Sequence, residues 1–209
     1  MAYSIITISR EYGTGARLIG REVAALLGFG YFDRALIEMA AEKSGLSEEF
    51  IERTEEKASN SFLYNLATAA YIASDVTMEY TVPVNDRAFL VQSEVIQDIA
   101  RSSNGVIVGR CADYVLRDHP SLLRVFLYAD KKDRLERIVK DYGQDPKTAE
   151  SALAKIDKGR ANYHKFYTGA NWRSLDNYDL CINTSATGIQ GAVMAIKACA
   201  EEKFGKVEQ

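Results

Sequence analysis

The sequence predicts an α/β fold built on a parallel, doubly wound sheet of five strands. Five short apolar segments, of the length typical of buried strands, recur along the 209 residues. Between them lie longer segments in which apolar residues return every three or four positions, as in helices that pack one face on a sheet. Strands that alternate with helices in this way form parallel sheets with right-handed crossovers.

The first strand, turn and helix form the segment around which the other elements are organised. An apolar run at Ile5–Ile8 is followed by a glycine turn at Gly13–Gly15 and by a helical pattern that Gly28 closes. Glycines let backbone N–H groups approach an anion closely, and the amino end of a helix adds about half a positive charge. Arg10 and Arg17 flank the turn, where they are placed to pair with phosphate oxygens.

The glycine turn departs from both standard phosphate-binding patterns. In the pattern G-x-x-x-x-G-K-[ST], with Gly15 as the second glycine, the first glycine falls on Arg10 and the lysine on Ala16. In the dinucleotide pattern G-x-G-x-x-G, the third glycine falls on Leu18. Spacing alone therefore leaves two interpretations open, phosphate binding and an ordinary glycine-rich turn between a strand and a helix.

The second strand, at 29–32, ends at Asp33, which has two interpretations. Asp33 directly precedes a helical pattern and is placed to cap that helix. It also follows the carboxyl end of a strand, where ligands bind in open α/β sheets.

Residues 47–80 contain no strand pattern. Ser47 begins a charged helix, and apolar residues return at helical spacing between Phe62 and Ala73. The pattern predicts a helical insertion between two strands, ended by Pro83. Such an insertion packs on the core, moves as a lobe or forms a dimer surface.

Arg110 follows the third strand, a short apolar run that begins at Gly105 and is bounded by Gly109. Such runs are typical of strands buried on both faces. An arginine at the end of a buried strand is costly unless it is solvated or paired, which favours an anionic ligand. The alternative is a salt bridge to a nearby carboxylate such as Asp113.

The segment after the fourth strand, at 124–128, is rich in arginine. Arg134 and Arg137 lie one turn apart on a helical pattern, and a long charged helix beyond Gly143 contains Arg160. Any single charge there is better explained as part of a solvated helix face. Arginines on both sides of a flexible connection are nevertheless the composition expected of a flap that closes over phosphates.

The last strand, at 180–183, leads into a helix for which Thr187 is the predicted cap. Aromatic residues between Tyr163 and Trp172 either stack on a nucleobase or pack the flap onto the core. His164 has no cysteine or carboxylate at ligand spacing, so a metal role is not predicted for it.

Composition argues against several classes of protein. The net charge of −3 does not suit a dedicated nucleic-acid binder. Cys111, Cys181 and Cys199 are widely spaced, which predicts reduced thiols in a cytoplasmic protein rather than a disulfide framework or a zinc site. No signal peptide is recognisable, and no apolar run approaches the roughly 18 residues that span a membrane.

Five stretches together resemble the cytidylate kinase-like family of P-loop nucleoside monophosphate kinases. They cover nearly the whole chain and read ISREYGTGARLIGREVA, YFDRALIEMAAEKSGLSEEFIE, VIVGRCADYVL, RVFLYADKKDRLERI and NYDLCINTS. The resemblance implies a P-loop NTPase-type three-layer fold in a single domain, 1–209. Its core would lie at about 1–34, 84–133 and 175–209, with a helical acceptor-binding insertion at about 35–83 and a lid at about 134–174.

The resemblance also implies roles for individual residues. The phosphates of ATP would be bound by residues in and beside the glycine turn, namely Arg10, Gly13, Thr14, Gly15, Ala16 and Arg17. The acceptor nucleotide would be bound by Asp33, Arg34, Arg110 and Asp113. The arginines implied in catalysis are Arg17, Arg110, Arg134, Arg137 and Arg160.

The implied activity is that of a kinase, a transferase that moves the γ-phosphoryl group of ATP to CMP, dCMP or a related acceptor. Mg²⁺ would accompany ATP, and a homodimer through the helical insertion is a further implication. The missing lysine supports a second hypothesis, a nucleotide-binding regulatory module with little or no turnover. A kinase for a different small acceptor is a third, because a fold alone does not determine a substrate.

Overall fold

The computed structural model describes residues 2–57 and 83–205. Its strands are β1 (Ile5–Arg10), β2 (Gly30–Phe32), β3 (Gly105–Val108), β4 (Leu122–Tyr128) and β5 (Leu180–Asn183). They form one sheet in the order β2–β3–β1–β4–β5, and every neighbouring pair is parallel. The predicted α/β class with a five-stranded parallel sheet is confirmed.

Helices cover both faces of this sheet. In the described part of the chain they are α1 (Ala16–Leu27), α2 (Arg34–Ser44), α3 (Glu48–Lys57), α4 (Val84–Ser102), α5 (Ala112–Val115), α6 (Lys131–Lys140), α7 (Ala149–Thr168) and α8 (Thr184–Phe204). One apolar cluster joins one face of the sheet to α1 and α8. A second cluster joins the other face to α2 and α4. The result is a three-layer arrangement of helix, sheet and helix.

The strand β1 lies at the centre of the sheet and is buried on both faces. Ile6 and Ile8 belong to the cluster under α1 and α8, whereas Ile5 belongs to the cluster under α2 and α4. This alternation explains why the strand appears in the sequence as a continuous apolar run. The strand extends two residues beyond the apolar run, because Ser9 and Arg10 continue the register with β4.

The sheet topology brings three connecting segments to one edge. The chain leaves β1 towards β2 on one side and leaves β4 towards β5 on the other. Neighbouring strands whose connections diverge in this way form a topological switch point, and ligands bind there outside the carboxyl ends of the strands. The segments that follow β1, β3 and β4 therefore border the expected ligand site.

Helix α8 begins at Thr184, four residues earlier than a helix capped by Thr187 would begin. The side chain of Asn183 caps it by accepting a hydrogen bond from the backbone N–H of Ser185 at 2.9 Å. Thr187 lies inside the helix, just before a kink at Gly188, and its hydroxyl donates to the Asn183 carbonyl at 3.2 Å. The prediction that Thr187 caps this helix is wrong, because the side chain that caps it is that of Asn183.

The predicted start of a helix at Ser47 is confirmed. Ser47 caps α3, since its hydroxyl accepts a hydrogen bond from the N–H of Phe50 at 3.2 Å. The helical pattern predicted between Phe62 and Ala73 lies outside the described residues, as does much of the predicted insertion and dimer surface. Within the described ranges, no helix is both long enough and apolar enough to cross a membrane.

Candidate phosphate-binding site

A cavity of about 430 Å³ opens at the carboxyl end of β1. One wall is the glycine loop, which we define as residues 11–15, together with the first turn of α1. The opposite wall comes from α3 and from the segment 142–160. Its lining residues are Arg10, Glu11, Tyr12, Gly13, Thr14, Ala16, Arg17, Glu52, Tyr142, Ile156 and Arg160.

Two glycines give the glycine loop its shape. Gly13 and Gly15 have φ angles of 83° and 81°, in the left-handed region that other residues adopt only with strain. A Cβ atom on Gly13 would lie 2.8 Å from the Arg134 carbonyl oxygen and 2.9 Å from Ile138 Cγ2. Turns of this kind present backbone N–H groups to anions, and Gly15 directly precedes the amino end of α1.

Four charged side chains, three of them buried, attach the glycine loop to α6 and α7. We call this group the loop clamp; it consists of Glu11, Arg134, Asp157 and Arg173. Arg134 Nη1 donates to Glu11 Oε2 at 2.8 Å, and Arg134 Nη2 donates to Asp157 Oδ2. Arg173 Nη2 lies 2.7 Å from Glu11 Oε1. Two carboxylates and two guanidinium groups thus balance one another beside the loop.

The loop clamp also holds the backbone of the loop. Arg134 Nε donates to the Tyr12 carbonyl at 2.7 Å, and the Tyr12 N–H donates to Asp157 Oδ1 at 2.8 Å. Arg134 and Asp157 are 5% and 6% exposed, so these contacts are shielded from water. Both backbone groups of Tyr12 are therefore bonded to side chains that belong to α6 and α7.

Two further predicted arginines contact the backbone next to the clamp. Arg137 Nη1 donates to the Gly13 carbonyl at 2.7 Å. Arg160 Nη1 donates to the Arg10 carbonyl at 3.2 Å, and its guanidinium lies 5.7 Å from the centre of the Tyr12 ring. Of the arginines on α6 and α7, Arg160 lines the cavity, together with Arg10 from the end of β1.

Arg17 extends away from the loop towards β2. Its Nε lies 2.9 Å from Asp33 Oδ2, and the side chains of Arg17 and Asp33 are 67% and 12% exposed. Asp33 occupies the cap position of α2, but its side chain makes no capping hydrogen bond. Of the two interpretations of Asp33, side-chain capping is not observed, since the carboxylate pairs with Arg17 instead.

Tyr31 lies behind this ion pair, two residues before Asp33 on β2. Burial, and then the Asp33 carboxylate, raise the pKa of Tyr31 to about 12, while three arginines act in the opposite direction. Its hydroxyl is buried with no hydrogen-bond partner among the described residues. The Tyr31 hydroxyl is therefore shielded from water, whereas the Arg17 side chain beside it is largely exposed.

Arg110 follows β3 in a sharply bent segment. Gly109, Arg110 and Cys111 all have positive φ angles, of 78°, 60° and 53°. For residues other than glycine this conformation costs about 1–3 kcal/mol each, and it persists only where the surroundings impose it. Arg110 is 6% exposed, and its Nη1 donates to the Ile51 carbonyl of α3 at 2.9 Å.

Asp113 is buried and paired with His164. The distance from His164 Nε2 to Asp113 Oδ2 is 3.1 Å, and Ser9 Oγ donates to Asp113 Oδ1 at 3.4 Å. Asp113, which is 51 positions away in the sequence, thus supplies a carboxylate partner that His164 does not have among its neighbours in the sequence. In the described part of the chain, no group of three or more His, Cys, Asp or Glu residues is arranged to hold a metal ion.

The aromatic residues in the last turns of α7 and just beyond it pack on the core. Trp172 is 4% exposed and meets the ring of Phe126 edge-on, at 5.5 Å between centroids. Tyr167 stacks on Phe89 of α4. Of the two interpretations of this stretch, packing describes these rings, and Tyr142 is the half-exposed aromatic residue that lines the cavity beside Tyr12.

The structure brings some of the predicted site residues together and separates others. Those that line the common cavity are Arg10, Gly13, Thr14, Ala16, Arg17 and Arg160. Arg34 lies on the exposed surface of α2, where it pairs with Glu38 and Glu48. Arg110 and Asp113 are buried after β3, and Arg134 is enclosed by the loop clamp.

Sequence reasoning missed the acidic members of the loop clamp, Glu11 and Asp157. A signal for Asp157 exists on α7, where Leu153, Asp157, Arg160 and His164 recur at spacings of three and four and are all buried. Such spacing places them on one face of the helix. Charged residues on the face that also carries a buried leucine indicate partners within the fold.

The family model described as cytidylate kinase-like matches residues 5–186. The chain belongs to the cytidylate kinase-like family. Among the relatives, cytidylate kinase of Archaeoglobus fulgidus is 26% identical over 210 residues, which cover 98% of this chain and 98% of that protein. Cytidylate kinase of Pyrococcus abyssi is 26% identical over 206 residues, which cover 97% of each. The resemblance stated from the sequence motifs is confirmed.

Solved structures agree on the fold of this cytidylate kinase-like chain. An uncharacterized protein from Eubacterium ventriosum is 29% identical with a TM-score of 0.71, covering 95% of this chain and 98% of that chain. Shikimate kinase from Bacteroides thetaiotaomicron has a TM-score of 0.55 at 12% identity, covering 95% of this chain and 98% of that chain. At the lower identity the likeness concerns the fold alone, and it agrees with the three-layer α/β arrangement described above.

The glycine loop of this cytidylate kinase-like chain lacks two residues of the standard pattern. Counted from Gly15, the lysine position is Ala16 and the hydroxyl position is Arg17. Ala16 is 4% exposed and carries no charge. The arginines that line the cavity are Arg10, Arg17 and Arg160, and Arg17 is paired with Asp33.

Proposed function

We propose that this chain is a nucleoside monophosphate kinase-type phosphotransferase that moves the γ-phosphoryl group of MgATP to CMP, dCMP or a related acceptor. One observation carries the proposal. A single cavity at the switch point of the sheet is bordered by the glycine loop, by the amino end of α1 and by two arginines, Arg10 and Arg160. Membership of the cytidylate kinase-like family supports the acceptor class.

The donor end of the proposed reaction uses the loop and the two arginines. Phosphoryl transfer between phosphates asks the protein for in-line positioning and for compensation of charge, with little covalent chemistry. Backbone N–H groups of the loop bind the donor phosphates, and Arg10 and Arg160 supply positive charge where the standard pattern has a lysine. The acceptor phosphate is already anionic, so the reaction needs no strong general base.

Magnesium enters this proposal with ATP as a substrate. Mg²⁺ in such sites is held by substrate phosphates, waters and one or two carboxylates. Glu11 in the glycine loop and Asp157 beside it are both paired with Arg134 and Arg173. We therefore assign no protein ligand to Mg²⁺ and no catalytic step to it.

The acceptor end is proposed at the side of β2 and β3. Asp33 follows the carboxyl end of β2, and Arg34 is the next residue. Arg110 follows the carboxyl end of β3, and Asp113 lies three positions beyond it. We assign residues 35–83 to acceptor binding and 134–174 to a lid that supplies Arg137 and Arg160. We also assign the Arg17–Asp33 ion pair to the boundary between the donor and acceptor sides, with Arg17 orienting the acceptor's phosphate.

The test is release of ADP from MgATP against a panel of CMP, dCMP, UMP, AMP and GMP. In Arg160→Ala, we expect kcat to fall by about 10²–10³-fold, the effect of removing one preorganised donor from a developing charge. Arg101→Ala is the matched control, because Arg101 forms an exposed ion pair with Asp98 on α4. Turnover without any dependence on the acceptor would contradict the proposal.

The second candidate is a nucleotide-binding module with little turnover. The specific observation is that the lysine position is occupied by the buried Ala16, while Arg17 turns to Asp33. A module of this kind would gain thermal stability with MgATP or MgADP, since ligands that bind the folded state raise its stability. Stabilisation together with a flat acceptor panel would favour this candidate over the kinase.

A further inference from the structure

We infer that the loop clamp shapes the glycine loop before any phosphate binds, and that Arg134 is a positioning residue rather than a phosphate ligand. The inference rests on the proposed function, because it concerns how the same cavity receives the donor phosphates. It departs from the role that the family resemblance implies for Arg134.

The first line of evidence is that side chains of the clamp, together with Arg137, hold the loop residue by residue. Glu11 is held through its carboxylate, and Tyr12 through both its N–H and its carbonyl. Gly13 is held through its carbonyl by Arg137. Three consecutive residues of the loop therefore have their orientation set by α6 and α7.

The second line of evidence is the close approach of the loop to α6. The α-carbon of Gly13 faces the backbone of Arg134, where an added Cβ would stand 2.8 Å from a carbonyl oxygen. Contacts of that length are absent from ordinary packing. The loop thus packs directly on the backbone of α6 at Arg134, and the side chain of the same residue binds the loop at Tyr12.

The third line of evidence is the charge around Arg134. Its Nε, Nη1 and Nη2 each donate to a different acceptor, and two of the three acceptors are carboxylates. The guanidinium is 5% exposed, so a phosphate would have to displace Glu11 or Asp157 to reach it. A planar fork with three acceptors suits an arginine and cannot be matched by the single charge of a lysine.

Taken together, these contacts replace one function of the absent lysine. In the standard pattern the lysine joins the loop to the β- and γ-phosphates from inside the loop. In this chain the loop is held from outside, through Arg134 and Asp157, whether or not a nucleotide is bound. Preorganised donors bind an anion more tightly, because less ordering remains to be done on binding.

Asp157→Asn tests the role of Arg134, because the positioning role predicts weaker phosphate binding and the ligand role predicts tighter binding. The Tyr12 N–H and Arg134 Nη2 donate to different oxygens of Asp157, and an asparagine would present an NH2 donor to one of them. We expect the Kd for tripolyphosphate and for MgADP, measured by calorimetry, to rise about tenfold, because the loop loses its fixed shape. If Arg134 were a phosphate ligand restrained by Asp157, the variant would bind both probes more tightly; tighter or unchanged binding overturns the inference.

Rescue at position 134 provides a second readout. If Arg134 acts as a fork, Arg134→Lys should resemble Arg134→Met in its Kd for tripolyphosphate, since a lysine reaches only part of the acceptor set. Recovery of wild-type affinity by the lysine would show that a point charge suffices and would overturn the inference. In the kinase assay, KM for MgATP should rise with Kd while kcat at saturation stays within about threefold.

Controls separate loss of the clamp from loss of the fold. Lys131→Met breaks an exposed ion pair with Glu150 that also joins α6 to α7 but does not touch the loop, so its affinities should equal those of the wild type. Arg173 is 54% exposed, so Arg173→Gln is expected to fold even if Asp157→Asn does not. It should weaken tripolyphosphate binding about threefold, because Glu11 keeps one of its two cations; unchanged binding there overturns the inference.

The probes also separate this inference from the proposed function. Tripolyphosphate and MgADP binding need neither an acceptor nor turnover. A flat acceptor panel with intact, clamp-dependent binding would refute the kinase and retain the clamp. Acceptor-dependent turnover with clamp-independent binding would do the reverse.

Discussion

Replacement of Gly13 by alanine should destabilise the protein and open the glycine loop. Two separate effects contribute. The φ angle of 83° lies in the left-handed region, where a residue with a Cβ costs about 1–2 kcal/mol. The new Cβ would also meet the Arg134 carbonyl oxygen at 2.8 Å and Ile138 Cγ2 at 2.9 Å.

The steric part is what distinguishes Gly13 from other glycines with a positive φ. Overpacking a well-packed position costs about 1–3 kcal/mol, so the sum for Gly13→Ala is about 2–5 kcal/mol. Gly28 has a φ of 66°, and a Cβ added there would meet no atom within 4 Å, so Gly28→Ala should cost only the conformational part, about 1–2 kcal/mol. The difference between the two variants isolates the contact between the loop and α6.

Urea unfolding and thermal unfolding, both followed by circular dichroism, measure the stability of the two variants, with tripolyphosphate affinity as a second observable. For a chain of this size each kcal/mol corresponds to about 2–4 °C in Tm, so Gly13→Ala should melt clearly below Gly28→Ala. Tripolyphosphate affinity should fall in Gly13→Ala and remain unchanged in Gly28→Ala. Equal loss of stability in the two variants would refute the reasoning, since it would mean that α6 does not restrict the loop.

Three further outcomes are expected. Arg17→Ala should raise KM for the acceptor about tenfold and leave KM for MgATP within about twofold, because Arg17 contacts Asp33 rather than the glycine loop; a large rise in KM for MgATP would instead give Arg17 the role of the lysine. Asn183→Ala should lower the free energy of unfolding by about 1 kcal/mol in urea titrations, more than Thr187→Ala, because Asn183 makes the capping bond of α8; the reverse order would contradict the assignment. Burial acts to raise the pKa of Asp179, but hydrogen bonds from an arginine and a lysine outweigh it and lower the pKa to about 2. A carboxylate whose pKa is lowered on folding stabilises the folded state at any pH above its ordinary pKa. That stabilisation is lost as pH falls, here between about pH 4 and 2. Asp179→Asn should therefore cost about 1 kcal/mol at pH 7, after allowance for solvent screening, and should flatten the acid limb of unfolding curves measured from pH 5 to 2.

The fold could be predicted because its determinants are local. The apolar runs that became β1 and β3 are short, and glycines border β3 on both sides. Strands with both faces buried carry that signature whatever their neighbours are. The end of β1 at Arg10 was missed, because Ser9 and Arg10 are polar and only the pairing with β4 makes them part of the strand.

The site could be predicted only in part, because its contacts are distant in the sequence. Arg134 and Glu11 are 123 positions apart, and Arg134 and Asp157 are 23 apart. The composition of the segment around Arg134 suggested a flap over phosphates, since arginines near glycine turns bind anions. What composition cannot supply is the presence of two buried carboxylates that compete for the same guanidinium.

The central place of β1 in the sheet has a consequence for synthesis of the chain. Its neighbours begin at Gly105 and Leu122, and β2, the strand made next, pairs with β3 and not with β1. At about 5–20 residues per second, roughly 5–20 s pass between translation of Ile5 and of its first partner. Throughout that interval both edges of an apolar strand have no partner on the ribosome. Nascent chains stalled before Gly105 should be cleaved by protease near β1, and chains stalled after α8 should be protected; early protection would show that β1 finds other cover.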